Sequence, residues 1–368
     1  MLFTLLYFIF IVSVTIQSIY YLFLFGKFSF SKQKKIAIKD IPVSVIICAR
    51  NEADNLRSNL KTILSQNHSN FEVIVVNDAS TDESLAILRS FGKQYRNLKI
   101  VDIKFTSKYA GNKKNGVTKG IETASYNNLL FTDADCVPRS SNWINEIASH
   151  FSNDKIIVLG YGAYEKIKGS FLNKIIRFET LLTAIQYFSY AQIGIPYMGV
   201  GRNLAYTKEA FLKAKGFTGH SNIRSGDDDL LINEIATKNN TAICLSHNSF
   251  TISEPKKKFS TWFHQKRRHV TTANHYKPIH QFLLGLFYLS QFLFWVLAII
   301  LLAFSFNWLI VTILLTIRLI IQYSILGKAA QKFNEKDLIL LFPLLDLMLV
   351  IFQLGVFVSS LIIKPRSW

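Results

Sequence analysis

Four long apolar stretches constrain the fold of this chain more than any other feature of its sequence. They occupy residues 2–25, 282–306, 307–327 and 338–362. Each is long enough for the roughly 20 helical residues that cross the hydrocarbon core of a membrane. Residues 40–275, in contrast, have the mixed polarity of an ordinary soluble domain. The sequence therefore predicts a membrane protein with one soluble domain between its spans.

The first apolar stretch is typical of an uncleaved anchor rather than a signal peptide. It lacks a basic start and has no small-x-small cleavage site before Lys27. Lysines then follow at Lys27, Lys32, Lys34, Lys35 and Lys39. By the positive-inside rule, these lysines indicate that the soluble domain is cytoplasmic.

We therefore predict three regions in a multi-pass protein of the cell (inner) membrane. An N-terminal transmembrane anchor covers residues 1–26, and a cytosolic domain with interfacial helices covers residues 27–275. A C-terminal membrane region with about three helices covers residues 276–368. Four full spans would put Lys364 and Arg366 outside, a mild violation of the charge rule that leaves the topology open.

The net charge of +18 raises the question of a nucleic-acid partner. The basic residues, however, concentrate beside the apolar stretches, as in Lys256–Lys258 and Lys266–Arg268. There they set the topology and attract anionic lipid head groups, by about 1 kcal/mol per charge near the surface. The sequence carries no nucleic-acid motif that competes with this interpretation, so no nucleic-acid partner is expected.

Short β-rich runs alternate with helical patterns in the first part of the soluble segment. The runs are residues 43–48, 71–76, 98–103 and 129–132. Alternating strands and helices indicate the α/β class, with a mainly parallel sheet covered on both faces. Ligands of such sheets bind beyond the carboxyl ends of the strands.

Polar side chains stand at those strand ends: Asn51 and Glu52, Asp78, and the pair Asp133 and Asp135. A lone Asp-x-Asp is more often a solvated turn, but three polar signatures at one edge of a sheet favour a ligand site. Two carboxylates one residue apart can hold a divalent cation, which can neutralise a diphosphate. An oxidoreductase-type dinucleotide site is excluded, because the G-x-G-x-x-G pattern is missing after the first strand.

Two amphipathic segments follow the sheet. Residues 170–200 fit either a core helix or a helix lying on the membrane, and the sequence leaves both open. Residues 259–276 alternate aromatic side chains with cations just before a span, which favours an interfacial helix. Within the spans, Arg318 and Asp346 are unusual because a charge at mid-bilayer is unfavourable. They either pair between helices, or Arg318 marks a segment that does not fully cross.

Several motifs in this order resemble a known family. They are Ala49–Glu52, Val76–Ser80, Lys113 ahead of Gly120, Asp133–Asp135, Gly201–Asn203, Gly226–Asp229 and Gln265–His269. Each is weak alone, but together the chain resembles a membrane-integrated glycosyltransferase of family 2 with a GT-A fold. That family is related to the cellulose, chitin and hyaluronan synthases and to the ceramide glucosyltransferases.

The resemblance implies a metal-dependent, inverting hexosyltransferase whose donor is a UDP-sugar. The implied donor-binding residues are Asn51, Glu52, Asp78, Lys113, Asp133 and Asp135. The first three would bind the uridine and Lys113 would meet the nucleotide. Asp133 would lie beside the sugar diphosphate, with Asp135 as the ligand of Mn2+ or Mg2+, the implied cofactor.

The resemblance also implies the catalytic residues Asp228, Gln265 and Arg268. Asp228 would be the general base, although Asp227 and Asp229 stay open, and N-terminal charging of the following helix is the simpler role for this acidic run. Gln265 and Arg268 would bind the diphosphate. This chain has His269 where the family has a tryptophan that lines the acceptor site of polymer synthases, so the resemblance to processive enzymes is weaker there.

The leading hypothesis is transfer of one sugar from a UDP-sugar to a membrane lipid acceptor. Polymer synthases usually surround a growing glycan acceptor with more helices than the four counted here, whereas a glycolipid can diffuse away in the membrane. The alternative is a processive polysaccharide synthase with the same site. A hypothesis of another class is a nucleotide-binding membrane scaffold, a pseudoenzyme, although the expected acidic positions are all filled.

Overall fold

The structure is a computed structural model that describes residues 1–32, 36–106, 112–223 and 225–362. Four basic residues of the topology prediction lie outside the described residues: Lys34, Lys35, Lys364 and Arg366. The described chain forms two compact units. The first contains Met1–Lys32, Lys166–Ile193 and the chain from Lys256 onwards, and the second contains the residues between Lys32 and Lys166 together with Gly194–Pro255.

Helices and strands alternate along the second unit, as the sequence predicts. The helices of the described chain are α1 (Leu2–Ile19), α2 (Gly26–Phe30), α3 (Ala53–Leu64), α4 (Ser84–Gln94), α5 (Lys113–Thr123), α6 (Trp143–Ala148), α7 (Phe171–Ile193), α8 (Lys208–Lys213), α9 (Asp229–Ile235), α10 (Phe259–Ala273), α11 (Pro278–Ala303), α12 (Trp308–Lys332) and α13 (Phe342–Ile362). The strands are β1 (Val43–Ala49), β2 (Phe71–Asp78), β3 (Leu98–Ile103), β4 (Asn128–Asp133), β5 (Cys136–Pro138), β6 (Ile157–Leu159), β7 (Gly162–Tyr164), β8 (Leu204–Thr207), β9 (Thr241–Ile243) and β10 (Thr251–Ser253).

The second unit is built on a seven-stranded sheet with the order β3-β2-β1-β4-β8-β6-β9. The first four strands of this order are parallel, while β8 is antiparallel to both β4 and β6. One face of β1 and β2 packs against α3 and α6, which contribute Leu56, Leu60 and Trp143 to the core. The other face packs against α5, where Ile46 lies against Gly120. This confirms the predicted α/β class with a mainly parallel sheet. The parallel register places the carboxyl ends of β1, β2 and β4 at one edge.

The first unit contains four helices that are long and apolar enough to cross a membrane. They are Leu2–Phe30, Pro278–Ala303, Trp308–Lys332 and Lys336–Ile362. Arg318 and Asp346, the two charges predicted to be unusual, form an ion pair of 3.1 Å and are both fully buried. The pairing hypothesis is therefore confirmed. The predicted region boundaries at residues 27 and 275 stay predictions.

The two amphipathic segments are helices of the first unit. In α7, side chains such as Ile176, Phe178, Leu181 and Phe188 are buried, so this helix is a core element of its unit. The other segment forms α10, which exposes Phe259 but buries Trp262 against Phe352, with ring centroids 3.8 Å apart. The alternation that predicted an interfacial helix thus contains one aromatic side chain that belongs to the interior.

Candidate functional site

The loops that follow β1 and β2 are joined by hydrogen bonds at the edge of the sheet. Asn51 has a left-handed backbone (φ 54°), and its side-chain oxygen accepts from the Thr81 amide at 2.8 Å. The Asn51 amide donates in return to Ser80 Oγ at 3.0 Å. The Glu52 amide donates to Ser84 Oγ at 3.0 Å. The predicted residues Asn51 and Glu52 are therefore fixed relative to the end of β2.

Asp78 is the last residue of β2 and is 1% exposed. It lies on the side of the sheet covered by α5, since a Cβ added to Gly116 would be 3.9 Å from the Asp78 carboxyl carbon. The preceding residue, Asn77, points to the other side and donates to Asp102 at 2.8 Å. Of these adjacent polar residues, the sequence-predicted Asp78 is the one that faces α5.

Lys113, the first residue of α5, joins the two acidic motifs. Its Nζ lies 3.1 Å from Asp133 Oδ1 and 3.0 Å from Asp227 Oδ2. Burial alone would lower the pKa of the Lys113 ammonium, but Asp133, Asp227 and Asp228 together raise it well above its ordinary value. Lys113 is therefore a firmly charged cation between carboxylates that lie almost 100 residues apart in the sequence.

The three adjacent carboxylates after Gly226 have three different environments. Asp227 pairs with Lys113, whereas the carboxylate of Asp228 accepts from the amide of Gly201 at 2.7 Å and from that of Asp229 at 2.8 Å. Asp229 is the first residue of α9, is 8% exposed and accepts from the next amide at 2.8 Å. Of these three carboxylates, only Asp228 is partly exposed and at the same time forms no ion pair with a lysine among the described residues.

Burial, followed by the neighbouring charges of Asp227 and Asp229, raises the pKa of Asp228 to about 7, although Lys113 and the hydrogen bond from Gly201 act to lower it. A carboxyl with this pKa exchanges a proton near neutral pH, which is the property of a general base poised for work at that pH. The hydrogen bond from Gly201 was not foreseen in the sequence, although Gly201–Asn203 stood out as a motif. The only sequence signal for this hydrogen bond was the glycine itself. In the structure, a Cβ at Gly201 would lie 3.2 Å from Asp228 Oδ2.

A cleft of about 350 Å³, including space open to solvent, contains these groups. Its polar lining includes Lys113, Asp133, Asp227 and Asp228, and its apolar lining includes Ile46, Val117, Phe131 and Leu204. A cleft with a few convergent charged groups over an apolar wall is typical of a small-molecule site.

The residues predicted to bind a metal fit a cation that is shared with a substrate. Asp133 and Asp135 flank the turn after β4, and the Cys136 thiol donates to Asp135 Oδ1 at 3.5 Å. Among the described residues, no group of three or more His, Cys, Asp or Glu side chains is arranged to hold a metal ion. Two carboxylates suffice for Mg2+ or Mn2+ when substrate phosphates and water complete the coordination.

Gln265 and Arg268 lie on α10 of the first unit. That helix is bound to α7 by an ion pair of 2.6 Å between Lys266 and Glu179. The side-chain oxygen of Gln265 is buried and has no hydrogen-bond partner among the described residues. The structure thus brings Lys113, Asp133 and Asp228 together in the second unit, while the roles of Gln265 and Arg268 stay predictions.

Comparisons with known proteins agree with this geometry. Residues 44–212 match the family model described as Glycosyl transferase family 2. An uncharacterized glycosyltransferase of Haemophilus influenzae is 32% identical over 119 residues, which cover 32% of this chain and 35% of that protein. Glycosyltransferase AglE of Haloferax volcanii is 35% identical over 121 residues, 32% of this chain and 38% of that protein.

A poly-beta-1,6-N-acetyl-D-glucosamine synthase of Staphylococcus epidermidis is 28% identical over 164 residues, 44% of this chain and 38% of that protein. The matches thus span little more than a third of the length of these relatives. The solved structure of mannosyltransferase PcManGT from Pyrobaculum calidifontis, in complex with GDP-Man and Mn2+, superposes with a TM-score of 0.60. It covers 94% of this chain and 99% of that chain at 18% identity, so the two share a fold.

The family model covers β1 to α8 and therefore most of the seven-stranded sheet, including Lys113 and the Asp133–Asp135 motif. The superposition with PcManGT shows that the fold built on this sheet is shared with that structure. Residues 44–212 therefore match a glycosyltransferase domain of family 2 within a GT-A-like α/β fold, and the described chain also has four helices that are long and apolar enough to cross a membrane.

Proposed function

We propose that this chain is an inverting hexosyltransferase that moves one sugar from a UDP-sugar to a membrane lipid acceptor. The observation that carries the proposal is the bridge from Lys113 to Asp133 and Asp227, with Asp228 lining the same cleft. This arrangement supports a donor-binding carboxylate and a base within reach of one bound molecule.

Asp228 is the proposed general base. Its ionised carboxylate takes the proton from an acceptor hydroxyl while that oxygen attacks the anomeric carbon of the donor sugar. The bond between the anomeric carbon and the diphosphate breaks, and its electron pair leaves with the nucleoside diphosphate. The pKa of about 7 suits this task, because a base works best when its pKa lies near the operating pH. Asp227 is occupied by Lys113, which makes it the weaker candidate.

Asn51, Glu52 and Asp78 are the proposed uridine-binding residues. Lys113 is proposed to exchange one of its two carboxylates for the donor diphosphate, since an ammonium binds phosphate as a point charge. Asp133 and Asp135 are the proposed ligands of Mn2+ or Mg2+. When bound, the metal would neutralise charge on the leaving diphosphate. PcManGT, whose structure holds GDP-Man and Mn2+, makes a guanine nucleotide the obvious alternative donor to test.

Gln265 and Arg268 are proposed to bind the diphosphate from α10. An arginine guanidinium presents paired N–H donors that match phosphate oxygens. Gln265 is proposed to contribute the N–H donors of its side-chain amide. We also propose that the protein resides in the cell (inner) membrane with its second unit in the cytoplasm.

A lipid acceptor is favoured by the four candidate spans and by His269 in the place of the family tryptophan. A processive polysaccharide synthase is the second candidate, because one relative is a poly-beta-1,6-N-acetyl-D-glucosamine synthase. The filled acidic positions Asp133, Asp135 and Asp228 argue against a nucleotide-binding scaffold without turnover.

The test is a product assay with the full-length chain in nanodiscs made from bacterial lipid. Labelled UDP-hexoses, UDP-N-acetylhexosamines and GDP-mannose are offered one at a time, and the products are analysed by mass spectrometry. We expect one labelled lipid from a UDP-sugar, lost in EDTA and restored by Mn2+ or Mg2+. A ladder of long products would favour the synthase, and nucleotide binding without any transfer would favour the scaffold. Full activity in EDTA would refute the metal assignment.

A further inference from the structure

We infer that Lys114 is a positioning residue, which holds the loop before the acidic run and so sets the place of the base Asp228. The inference rests on the proposed function, because it concerns the group proposed to take the acceptor proton. The neighbouring lysine, Lys113, contacts the acidic side chains themselves. Two consecutive lysines of α5 would then fix both acidic motifs.

The Lys114 ammonium is buried and bound by backbone. The residue is only 4% exposed, and its Nζ donates to the carbonyls of His220 at 2.7 Å and Ile223 at 2.8 Å. It also lies 5.9 Å from the centre of the Phe217 ring. A buried ammonium is unfavourable unless it is paired or hydrogen-bonded, so these carbonyls and this lysine depend on one another. The contact therefore ties the loop over residues 217–223 to the start of α5.

The start of α5 is itself rigidly placed. Asn112 is its N-cap, with a side-chain oxygen that accepts from the Lys114 amide at 3.0 Å. Glycines let the helix pack directly on the sheet, since a Cβ at Gly120 would lie 2.7 Å from Ile46 and one at Gly116 would lie 3.3 Å from Cys48. Adjacent helical residues point about 100° apart, so two consecutive lysines reach different partners.

The loop that Lys114 contacts ends five residues before Asp228 in the sequence. Gly226 has a positive φ of 92°, and a Cβ there would lie 2.4 Å from Leu230, so this turn requires glycine. Asp228 follows as the N-cap of the short helix α9 and accepts from Gly201. A shift of the loop would move this carboxylate, and a misplacement of 1 Å can lower a rate by about 100-fold.

The two lysines should therefore have separable effects. Lys113 is the proposed partner of the donor diphosphate, so its loss should raise the donor KM. Lys114 contacts carbonyls of the loop that precedes the acidic run, so its loss should lower kcat and leave donor binding nearly unchanged. Among the residues that the structure describes, the charged and titratable groups around Asp228 include Asp227, Asp229, Lys113, Lys114 and Tyr206. Removing one of the two cations should move the acidic limb of the kcat profile to higher pH.

The first measurement does not depend on turnover. Hydrogen–deuterium exchange of the full chain in nanodiscs is compared between the wild type, Lys114→Met and Lys119→Met. Lys119 is the matched control, because it lies on the same helix with half of its side chain exposed and an i,i+3 partner in Glu122. We expect faster exchange in the peptides over residues 217–223 for Lys114→Met only. Unchanged exchange there would overturn the inference whether or not the chain is a transferase.

The second measurement uses the active enzyme. For Lys114→Met we expect kcat to fall by about tenfold or more, with the acidic limb displaced and UDP affinity within about twofold of the wild type. Lys114→Arg keeps the positive charge, so the acidic limb of its kcat profile should match that of the wild type. This variant replaces Lys114→Met in the experiment if the methionine variant does not fold. A loss of kcat that is equal at every pH would reduce Lys114 to a structural residue. Inactivity of the wild type with every donor would instead count against the proposed function.

Discussion

Two buried charge clusters of this chain are built in opposite ways. The first, the bundle cluster, joins the four candidate spans through Arg318 and Asp346. The second, the rim cluster, lies at the edge of the sheet and consists of Lys113, Asp133, Asp227 and Asp228. The bundle cluster pairs one cation with one anion, whereas the rim cluster has three carboxylates for one lysine. The difference separates a structural ion pair from a site that still needs positive charge.

The bundle cluster is neutral and amply hydrogen-bonded. Beside Arg318, the carboxylate of Asp346 accepts from Gln291 at 2.5 Å and from Trp295 at 2.8 Å. Arg318 donates to Gln17 at 3.0 Å and to Gln322 at 2.6 Å. These residues come from α1, α11, α12 and α13, so every candidate span contributes a member. Apart from Arg318 Nε, which has no hydrogen-bond partner in the described chain, the ion pair has little capacity left for a ligand.

The rim cluster is anionic and partly exposed. The side chain of Asp133 is 33% exposed and that of Lys113 is 23% exposed, so both can meet a molecule in the cleft. Carboxylates that repel one another around a single ammonium gain from a further cation. A metal ion bound with a nucleotide diphosphate would supply that charge.

Replacing Asp228 with asparagine should remove most of the catalytic activity of the rim cluster and leave its structure intact. Asparagine keeps an oxygen for the Gly201 amide but cannot accept the acceptor proton. We expect kcat to fall by about 10²–10⁴, while the affinity for UDP changes little. Steady-state assays and calorimetric titration with UDP measure the two quantities.

The matched control is the exposed Asp154, for which Asp154→Asn should have no effect on kcat. In the wild type, kcat should rise with pH through a midpoint near 7 and level off at higher pH, because only the ionised Asp228 works as a base. A variant Asp228→Asn with wild-type turnover would transfer the role of base to another residue. Asp227 and Asp229 would then be tested in the same way.

Replacing Arg318 with methionine should destabilise the bundle cluster. The change leaves the Asp346 carboxylate buried without its cation, which typically costs about 3–5 kcal/mol of stability. Unfolding in mixed detergent micelles measures the loss. The double variant Arg318→Met/Asp346→Leu should recover most of it, since replacing both partners removes the buried charge. A double variant as unstable as the single one would show that the ion pair itself is not what matters.

The sequence predicted those features of both clusters that depend on local pattern. Apolar runs interrupted by one charge identified Arg318 and Asp346, and β-rich runs ending in polar residues identified Asp78 and Asp133. The membrane-like or core character of α7 could not be decided, because both alternatives produce the same amphipathic spacing. The six strands from β5 to β10 were missed, since three or four residues are too few for a period-two signal.

The contacts that position the base were also beyond the sequence. Gly201 and Asp228 are 27 residues apart, and Lys114 reaches carbonyls more than 100 residues away. Backbone acceptors such as those of His220 and Ile223 carry no residue-type signal, because every residue has a carbonyl. The tandem lysine before Gly116 was visible, but only the fold shows that its two members have different partners.

The stability of the rim cluster should depend on pH with a defined sign. The pKa of Asp228 is raised from 3.8 to about 7 in the folded chain, so the folded state holds this proton more tightly than the unfolded state. The stabilising contribution of protonated Asp228 is therefore complete below about pH 4 and is lost as the pH rises to about 7.

Asp228→Asn has no such proton, so its stability relative to the wild type should increase over the same interval. We expect a gain of up to about 4 kcal/mol above pH 7 and little difference at pH 4. Thermal unfolding of both proteins at pH 4 to 8 measures the difference. A difference that stays constant with pH would mean that Asp228 titrates normally, and it would weaken the assignment of the base.

The smallest effect is expected where charges are exposed to water. Arg57 pairs at 3.0 Å with both Asp54 and Glu83, but its side chain is 55% exposed and those of its partners are 97% and 76% exposed. Water screens such pairs, which typically contribute about 0.2–1 kcal/mol. Arg57→Ala should therefore lower stability by less than about 1 kcal/mol, and less still at high salt, with kcat unchanged. Thermal unfolding at low and high ionic strength measures this. A loss comparable to that of Arg318→Met would mean that burial does not determine how strongly a charge pair stabilises this protein, and the contrast between the two clusters would need another cause.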